Sequence, residues 1–258
     1  MSELTPTGSS QPPKISTAIM EISHSQPLGD HPDDREPISG PLGAVEAILR
    51  RPRRVMYQLR QPDAGRLILE MILVTVVCAL LYGVVVGTFS MGTQLWAAPV
   101  KIAAGLLVSA LICLPSLYIF TCLSGSHAKL SEISGLTAGL LMLMTLLLIG
   151  FAPVAWLFSQ STNSTIWMGV LHLTFLFIAT IFGLRFLQAG FSHSRVRSSA
   201  GIFTWTLIFV LVVLQMTTAL RPIIGSSPDF FPTKKQFFLS HWGDHLDEAA
   251  KGSTSRRD

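Results

Sequence analysis

Five long apolar runs constrain the fold of this chain more than any other feature of its sequence. They cover residues 67–89, 102–122, 133–158, 166–187 and 202–220. As helices rising about 1.5 Å per residue, runs of this length cross a hydrocarbon core of about 30 Å. The runs are continuously apolar rather than alternating, which favours helices over barrel strands. Only 13% of the residues are charged, against about 25% in soluble proteins. We therefore expect an all-α integral membrane bundle of five transmembrane helices within residues 67–224.

The positively charged residues between the runs predict the orientation of the bundle. Before the first run, the segment Arg50–Arg66 holds six arginines. On the same side, the connection between the second and third runs contains Lys129, and further arginines lie around the connection between the fourth and fifth runs. The opposite side has only Lys101 in its first connection, and residues 160–165 carry no charge. The N-terminus is therefore expected in the cytoplasm, and five crossings place the C-terminus outside.

The two segments before the first run differ in charge. Residues 1–40 hold six acidic and two basic residues and lack an apolar period, so we expect a disordered acidic cytoplasmic tail. Residues 41–66 combine apolar residues at helical spacing with arginines, and Pro52 interrupts the pattern. This basic amphipathic segment is expected either to lie on the membrane face or to pack on the protein's own loops. The residues predicted to contact anionic headgroups are Arg50, Arg51, Arg53, Arg54 and Arg60.

Residues 225–258 form the expected outer tail. Within it, a possible capping box precedes a short amphipathic helix at about 233–248. Phe237, Phe238 and Trp242 fall on roughly one side of that helix, as in a helix resting in the outer membrane interface. An ordinary exposed tail is the alternative.

Ionisable residues inside a membrane mark ion paths and catalytic sites, and the runs hold almost none. Glu70 follows Arg66 by one turn, so an i,i+4 ion pair at the interface explains it. Lys101 stands at a run end, where it can snorkel. The polar residues left inside are His172 and Gln215. Each is expected either to bond to a neighbouring helix or to line a small polar cavity, and the first interpretation is favoured.

Signatures of catalysis, metal binding and nucleic-acid binding are missing from the sequence. Neither HExxH nor GxSxG occurs, and the three cysteines are too scattered for a zinc site. The net charge of +4 comes without any nucleic-acid module. We therefore expect no enzyme, no catalytic residue, no cofactor, no metal and no nucleic-acid partner. The expected partners are the lipid bilayer and a membrane protein or a second copy of the chain.

Small residues and prolines within the runs predict how the helices pack. Two GxxxG steps let helix backbones approach closely, within the bundle or, as the less favoured interpretation, in a dimer. Two prolines are expected to kink the second and third spans. The glycines are Gly83, Gly87, Gly135 and Gly139, and the prolines are Pro115 and Pro153.

The arrangement of tail, basic stretch and five spans resembles the Yip1 family and its loose bacterial relatives. The similarity covers about residues 45–228 and rests on topology and short motifs. These motifs are Arg51–Arg54, Leu114–Tyr118, Leu220–Pro222 and Gly225–Ser226. The resemblance implies membrane organisation or trafficking through partner binding, in a multi-pass protein of the bacterial cytoplasmic (inner) membrane.

The sequence therefore predicts a non-enzymatic scaffold or partner-binding membrane protein, with the arginine segment and the outer aromatic helix as contact surfaces. The main alternative is a transporter or channel for a small uncharged or lipid-like solute, which requires His172 and Gln215 to converge on one polar cavity. A third alternative is an intramembrane enzyme, which requires Glu70, His127 and Glu132 to gather around a pocket.

Overall fold

A computed structural model describes residues 27–90, 94–125, 128–161, 165–192 and 200–219 of the chain. Every secondary-structure element in these ranges is a helix, which confirms the all-α class. The helices are α1 (Pro32–Arg35), α2 (Gly40–Arg50), α3 (Pro52–Gln58), α4 (Ala64–Ser90), α5 (Gln94–Leu123), α6 (Leu130–Ser161), α7 (Thr165–Ser192) and α8 (Ala200–Ala219).

Four of these helices, α4 to α7, are long and apolar enough to cross a membrane. The chain is thus an integral multi-pass membrane protein by helix length and composition. The apolar part of α8, Gly201–Thr217, is shorter than the other four. The fifth crossing and the orientation of the termini stay predictions.

The order of packing places α4 at the centre of the bundle. It packs along both α5 and α6, while α7 packs on α6 and α8 packs on α5. The indole of Trp205 on α8 is fully buried, and its Nε1 donates a hydrogen bond of 2.9 Å to the carbonyl oxygen of Cys113 on α5. The same ring stacks on Phe209 with centroids 5.1 Å apart. A buried indole of this kind fixes the position of α8 against α5.

The GxxxG glycines lie at contacts within the chain. A methyl group at Gly83 would overlap Cα of Pro99 and lie 2.8 Å from its nitrogen, so α4 and α5 approach closely there. On α6, a methyl group at Gly135 would overlap the side chain of Leu59, and one at Gly139 would lie 2.5 Å from Cε1 of Phe186 on α7. Gly87 is also buried. These contacts agree with packing inside the bundle.

The two predicted kink sites, Pro115 and Pro153, lie inside α5 and α6 with exposed rings. Both helices continue for eight residues beyond the proline, to Leu123 and Ser161. The prolines therefore face away from the protein core, and the kinks themselves stay predictions.

Helices α1 to α3 form a layer on one end of the bundle, and we call residues 27–63 the N-terminal cap. Contacts run from α2 to α4 and α6, and from α3 to α7. The apolar face of the cap is buried, with Ile48 3%, Val55 0% and Leu59 1% exposed. The apolar face of the amphipathic segment thus packs on the protein itself, and contact of the same segment with the membrane face stays a prediction.

The last part of the segment expected as a disordered tail, residues 1–40, is folded within the cap in the structure, and the disorder of its earlier part stays a prediction. Residues 27–39 lie against α3 and include α1; residues 1–26 fall outside the described ranges. The acidic side chains of this stretch find arginine partners on the cap. Such pairing between separate segments leaves no period in the sequence, and composition alone therefore predicted disorder.

Candidate functional site

The serine and threonine hydroxyl groups buried in the bundle are satisfied by their own helices. Each donates a hydrogen bond to the carbonyl oxygen four residues earlier, a common arrangement for Ser and Thr in helices. The pairs are Thr75 to Met71, Ser109 to Gly105, Thr121 to Leu117, Thr137 to Ile133 and Thr145 to Leu141, at 2.6–3.1 Å. These hydroxyls therefore need neither water nor ligand.

His172 on α7 is paired with Tyr82 on α4. The Tyr82 oxygen lies 2.7 Å from Nδ1 of His172, and the two rings meet edge to face at a centroid distance of 5.7 Å. Nε2 of His172 is the one buried side-chain nitrogen or oxygen without a hydrogen-bond partner in the part of the chain that the structure describes. If the hydroxyl donates to Nδ1, the ring hydrogen is on Nε2, and that N–H is the single unpaired group. If Nδ1–H donated to the Tyr82 oxygen instead, the hydrogen of the Tyr82 hydroxyl would be unpaired as well as Nε2.

The Tyr82–His172 pair lies in the half of the bundle away from the cap. Tyr82 is eight residues before the end of α4, and His172 is seven residues after the start of α7, which corresponds to roughly 10–12 Å along each helix.

Lys101 is also seven residues inside its helix and is only 1% exposed. Helix α5 begins at Gln94 and continues through Pro99, so Lys101 lies further inside it than the apolar run indicated; its position at the end of the membrane span stays a prediction.

His172 lies on α7 and Gln215 lies on α8, two helices that share only a small contact. His172 belongs to α7, which packs on α6, and its ring reaches α4 through Tyr82. Gln215 is a half-buried residue of α8, whose main neighbour is α5. The two residues predicted to converge in a transporter thus lie on helices with different principal neighbours.

The arginines of the cap are paired with acidic residues. Arg53 Nη2 lies 3.6 Å from Asp34 Oδ2, and Arg54 Nη1 lies 3.1 Å from Glu36 Oε2. Arg51 Nη1 lies between Asp33 and Glu36, at 3.5 and 3.8 Å. The predicted contact of these arginines with lipid headgroups stays a prediction, and the structure gives them partners within the chain.

Three further ion pairs lie in or near the cap, and one of them joins the cap to the bundle. Arg60 Nε is 2.9 Å from Glu132 Oε1 in the first turn of α6. Arg66 Nε is 3.2 Å from Glu70 Oε1, which confirms the predicted i,i+4 pair. Glu70 and Glu132 are thus each engaged with a different arginine. Arg50 makes an exposed i,i+4 pair with Glu46 at 3.3 Å.

Several predicted residues lie outside the described ranges. Phe237, Phe238 and Trp242 of the outer helix and His127 of the enzyme alternative belong to this group. Within the described ranges, no cluster of three or more His, Cys, Asp or Glu side chains is placed to hold a metal ion. The thiols of Cys78, Cys113 and Cys122 are free.

Sequence reasoning missed Tyr82 and the acidic partners of the cap. Opposite charges at 33–36 and 51–54 were a usable signal for the second, whereas nothing in the sequence singles out Tyr82. No family model, curated protein or solved structure matches the chain. The resemblance to the Yip1 family therefore rests on the residues quoted for it.

Proposed function

We propose that the protein is a non-enzymatic scaffold or partner-binding component in membrane organisation, with the N-terminal cap as its binding surface. One observation carries the proposal: the chain folds a separate helical layer onto one end of the bundle, while His172, a polar side chain that the transporter alternative needs on a path, bonds to Tyr82. A folded surface outside the spans is available to a partner in the aqueous phase.

The proposed topology has five spans, with the cap in the cytoplasm. In support, α8 has 20 residues, which at 1.5 Å per residue reach about 30 Å. The six arginines of Arg50–Arg66 lie in or beside the cap, as the distribution of positive charge requires for a cytoplasmic layer. A bacterial inner-membrane location and a Yip1-like role in membrane organisation are parts of the same proposal.

The exposed side of α2 is the contact surface that we propose for a protein partner. Leu42 is 83% exposed and Leu49 is 55% exposed; seven residues apart, they lie on the same side of the helix. Ala44 and Ile48 on the other side are buried. Large apolar side chains outside the spans, next to the exposed Glu46–Arg50 pair, suit an interface with a polar rim.

Site-specific photo-crosslinking tests this surface in cells. Benzoylphenylalanine is placed at Leu42 or Leu49, and Leu73, which is 54% exposed on α4, serves as the lipid-facing control. We expect a protein adduct of one discrete mass at both cap positions and not at Leu73; a mass equal to a second copy would identify self-association. Lipid adducts alone at Leu42 and Leu49 would contradict the proposal.

A second candidate function rests on the unpaired Nε2 of His172. A buried polar atom without a partner, inside a membrane helix, is typical of a binding or transport site. A transporter or channel for a small uncharged or lipid-like solute would place this atom on a hydrated crevice that also reaches Gln215.

A further inference from the structure

The segment of residues 27–39, which we call the acidic strap, lies over the arginines at the start of α3. Its carboxylates make the ion pairs of Arg51, Arg53 and Arg54. Its backbone takes part as well: Arg54 donates to the carbonyl oxygens of Glu36 and Pro37 at 2.8 and 2.9 Å, and Arg53 donates to that of Pro27 at 3.2 Å. The strap thus provides a set of oxygen acceptors for closely spaced guanidinium groups.

The degree of exposure shows what the strap covers. The side chains of Arg53 and Arg54 are 24% and 16% exposed and that of Arg51 is 52% exposed, whereas that of Arg50, which pairs with Glu46, is 77% exposed. Asp34 is the most buried acid, at 8%. Guanidinium groups bind phosphate oxygens as they bind carboxylate oxygens, through charge-assisted and often bidentate hydrogen bonds. A strap that satisfies these arginines therefore occupies a site suited to phosphate groups.

The contacts that hold the strap are mainly polar and partly open to solvent. Asp33 and Glu36 are 63% and 59% exposed, and exposed ion pairs are weak and screened by salt. The Ile38 amide also donates to Gln58 Oε1 at 3.1 Å, whereas the bond from the Gly29 amide to Asp34 Oδ2 at 3.2 Å lies within the strap. Leu28 and Ile38 are only partly buried. Because these contacts are weak and open to solvent, another anionic group can replace the strap on the arginines.

We propose that the acidic strap competes with anionic phospholipid headgroups for Arg51, Arg53 and Arg54. Lipid is the competitor because the cap lies at the end of the bundle: Arg60 pairs with the first turn of α6, and α4 begins at Ala64. Anionic leaflets attract basic segments next to spans over about a Debye length. In a neutral bilayer the strap holds the arginines; in an anionic bilayer lipid phosphates replace it and release the strap. The inference rests on the proposed position of the cap at the bilayer surface.

Amide hydrogen exchange of the full-length protein in nanodiscs tests the competition. The probe is the phosphatidylglycerol content of phosphatidylcholine discs, and the readout is the protection of peptides covering residues 27–39. We expect protection in pure phosphatidylcholine and its loss as phosphatidylglycerol increases, with α4 peptides unchanged. Strap protection that is independent of phosphatidylglycerol overturns the proposal.

A pair of charge-matched variants sharpens the test. Asp33→Asn with Glu36→Gln removes partners of Arg51 and Arg54 but keeps Asp34; Glu46→Gln with Asp63→Asn removes the same charge elsewhere in the cap. In the first variant alone, we expect half of the strap's protection to be lost at a phosphatidylglycerol fraction at least about threefold lower than in the unmodified protein. Equal midpoints in the two variants overturn the proposal.

If the strap of the first variant already exchanges fully in phosphatidylcholine, lipid retention decides the question. Native mass spectrometry should then count at least about threefold more bound phosphatidylglycerol on the first variant than on the control, and equal retention contradicts the competition. Both measurements use purified protein without a partner, so their failure is distinct from failure of the crosslinking test.

Discussion

The hydroxyl oxygen of Tyr82 lies 2.7 Å from Nδ1 of His172, and this contact joins α4 to α7 across 90 residues of sequence. Because α7 packs chiefly on α6, the pair adds a direct polar tie between α7 and the central helix. A hydrogen bond between membrane helices contributes on average about 0.6 kcal/mol and at most about 2 kcal/mol. The pair is therefore a modest element of stability with a defined geometry.

Replacing the hydroxyl should measure that tie. We expect Tyr82→Phe to lower the free energy of unfolding by about 0.6–2 kcal/mol, as measured by reversible unfolding in mixed micelles containing dodecyl sulfate. Tyr118→Phe is the control, because that ring is 39% exposed on α5. A double-mutant cycle with His172→Phe should recover most of the loss as coupling; a coupling energy near zero would show that the contact contributes nothing.

The close approach of α4 and α5 predicts a steric effect at Gly83. A methyl group there would overlap the backbone of Pro99, so Gly83→Ala should lower the free energy of unfolding by about 1–3 kcal/mol. Gly150→Ala is the matched control, since no atom lies within 4 Å of the added carbon. Its effect should be neutral or stabilising by up to about 1 kcal/mol, because alanine favours a helix more than glycine does. Equal stability of the two variants would mean that the helices do not meet at Gly83.

The buried indole of Trp205 predicts that α8 depends on its bond to α5. Trp205→Phe removes the Nε1 donor to the carbonyl oxygen of Cys113 and leaves a cavity where the fully buried indole was. We expect a loss of about 1–3 kcal/mol in the free energy of unfolding from the two effects together. Trp156→Phe, at a position 51% exposed on α6, should be nearly neutral. If both variants unfold alike, α8 is not held through Trp205.

The proposed fifth crossing predicts where a C-terminal reporter lies. Alkaline phosphatase fused after Asp258 should be active in bacterial cells, because five crossings from a cytoplasmic cap end outside. The same enzyme fused after Leu123, at the end of α5, should be inactive, since an even number of crossings returns the chain to the cytoplasm. Inactive fusions at both Asp258 and Leu123, with stable expression, would contradict a spanning α8, whereas an inactive fusion at Asp258 with an active one at Leu123 would contradict the proposed orientation.

The sequence predicted the long helices well because lipid admits little other than helices for continuous apolar runs. It placed the start of α5 too late: Pro99 and Lys101 interrupt the apolar run, yet the helix begins at Gln94 and buries the lysine. The strap was missed because charge pairing between segments has no period. The partner of His172 depends on how α7 lies against α4, and that is decided by tertiary packing.

Thiol accessibility of His172→Cys and Gln215→Cys tests most directly whether the bundle is closed, as a scaffold requires. Both cysteines are introduced into protein in which Cys78, Cys113 and Cys122 are replaced by Ala, and Gln160→Cys, exposed at the end of α6, is the positive control. A charged, membrane-impermeant thiol reagent is applied from each side of the membrane. We predict rapid labelling at residue 160 and none at residues 172 and 215. Labelling of both residues from one side, within about tenfold of the control rate, would reveal a hydrated crevice and contradict the scaffold proposal.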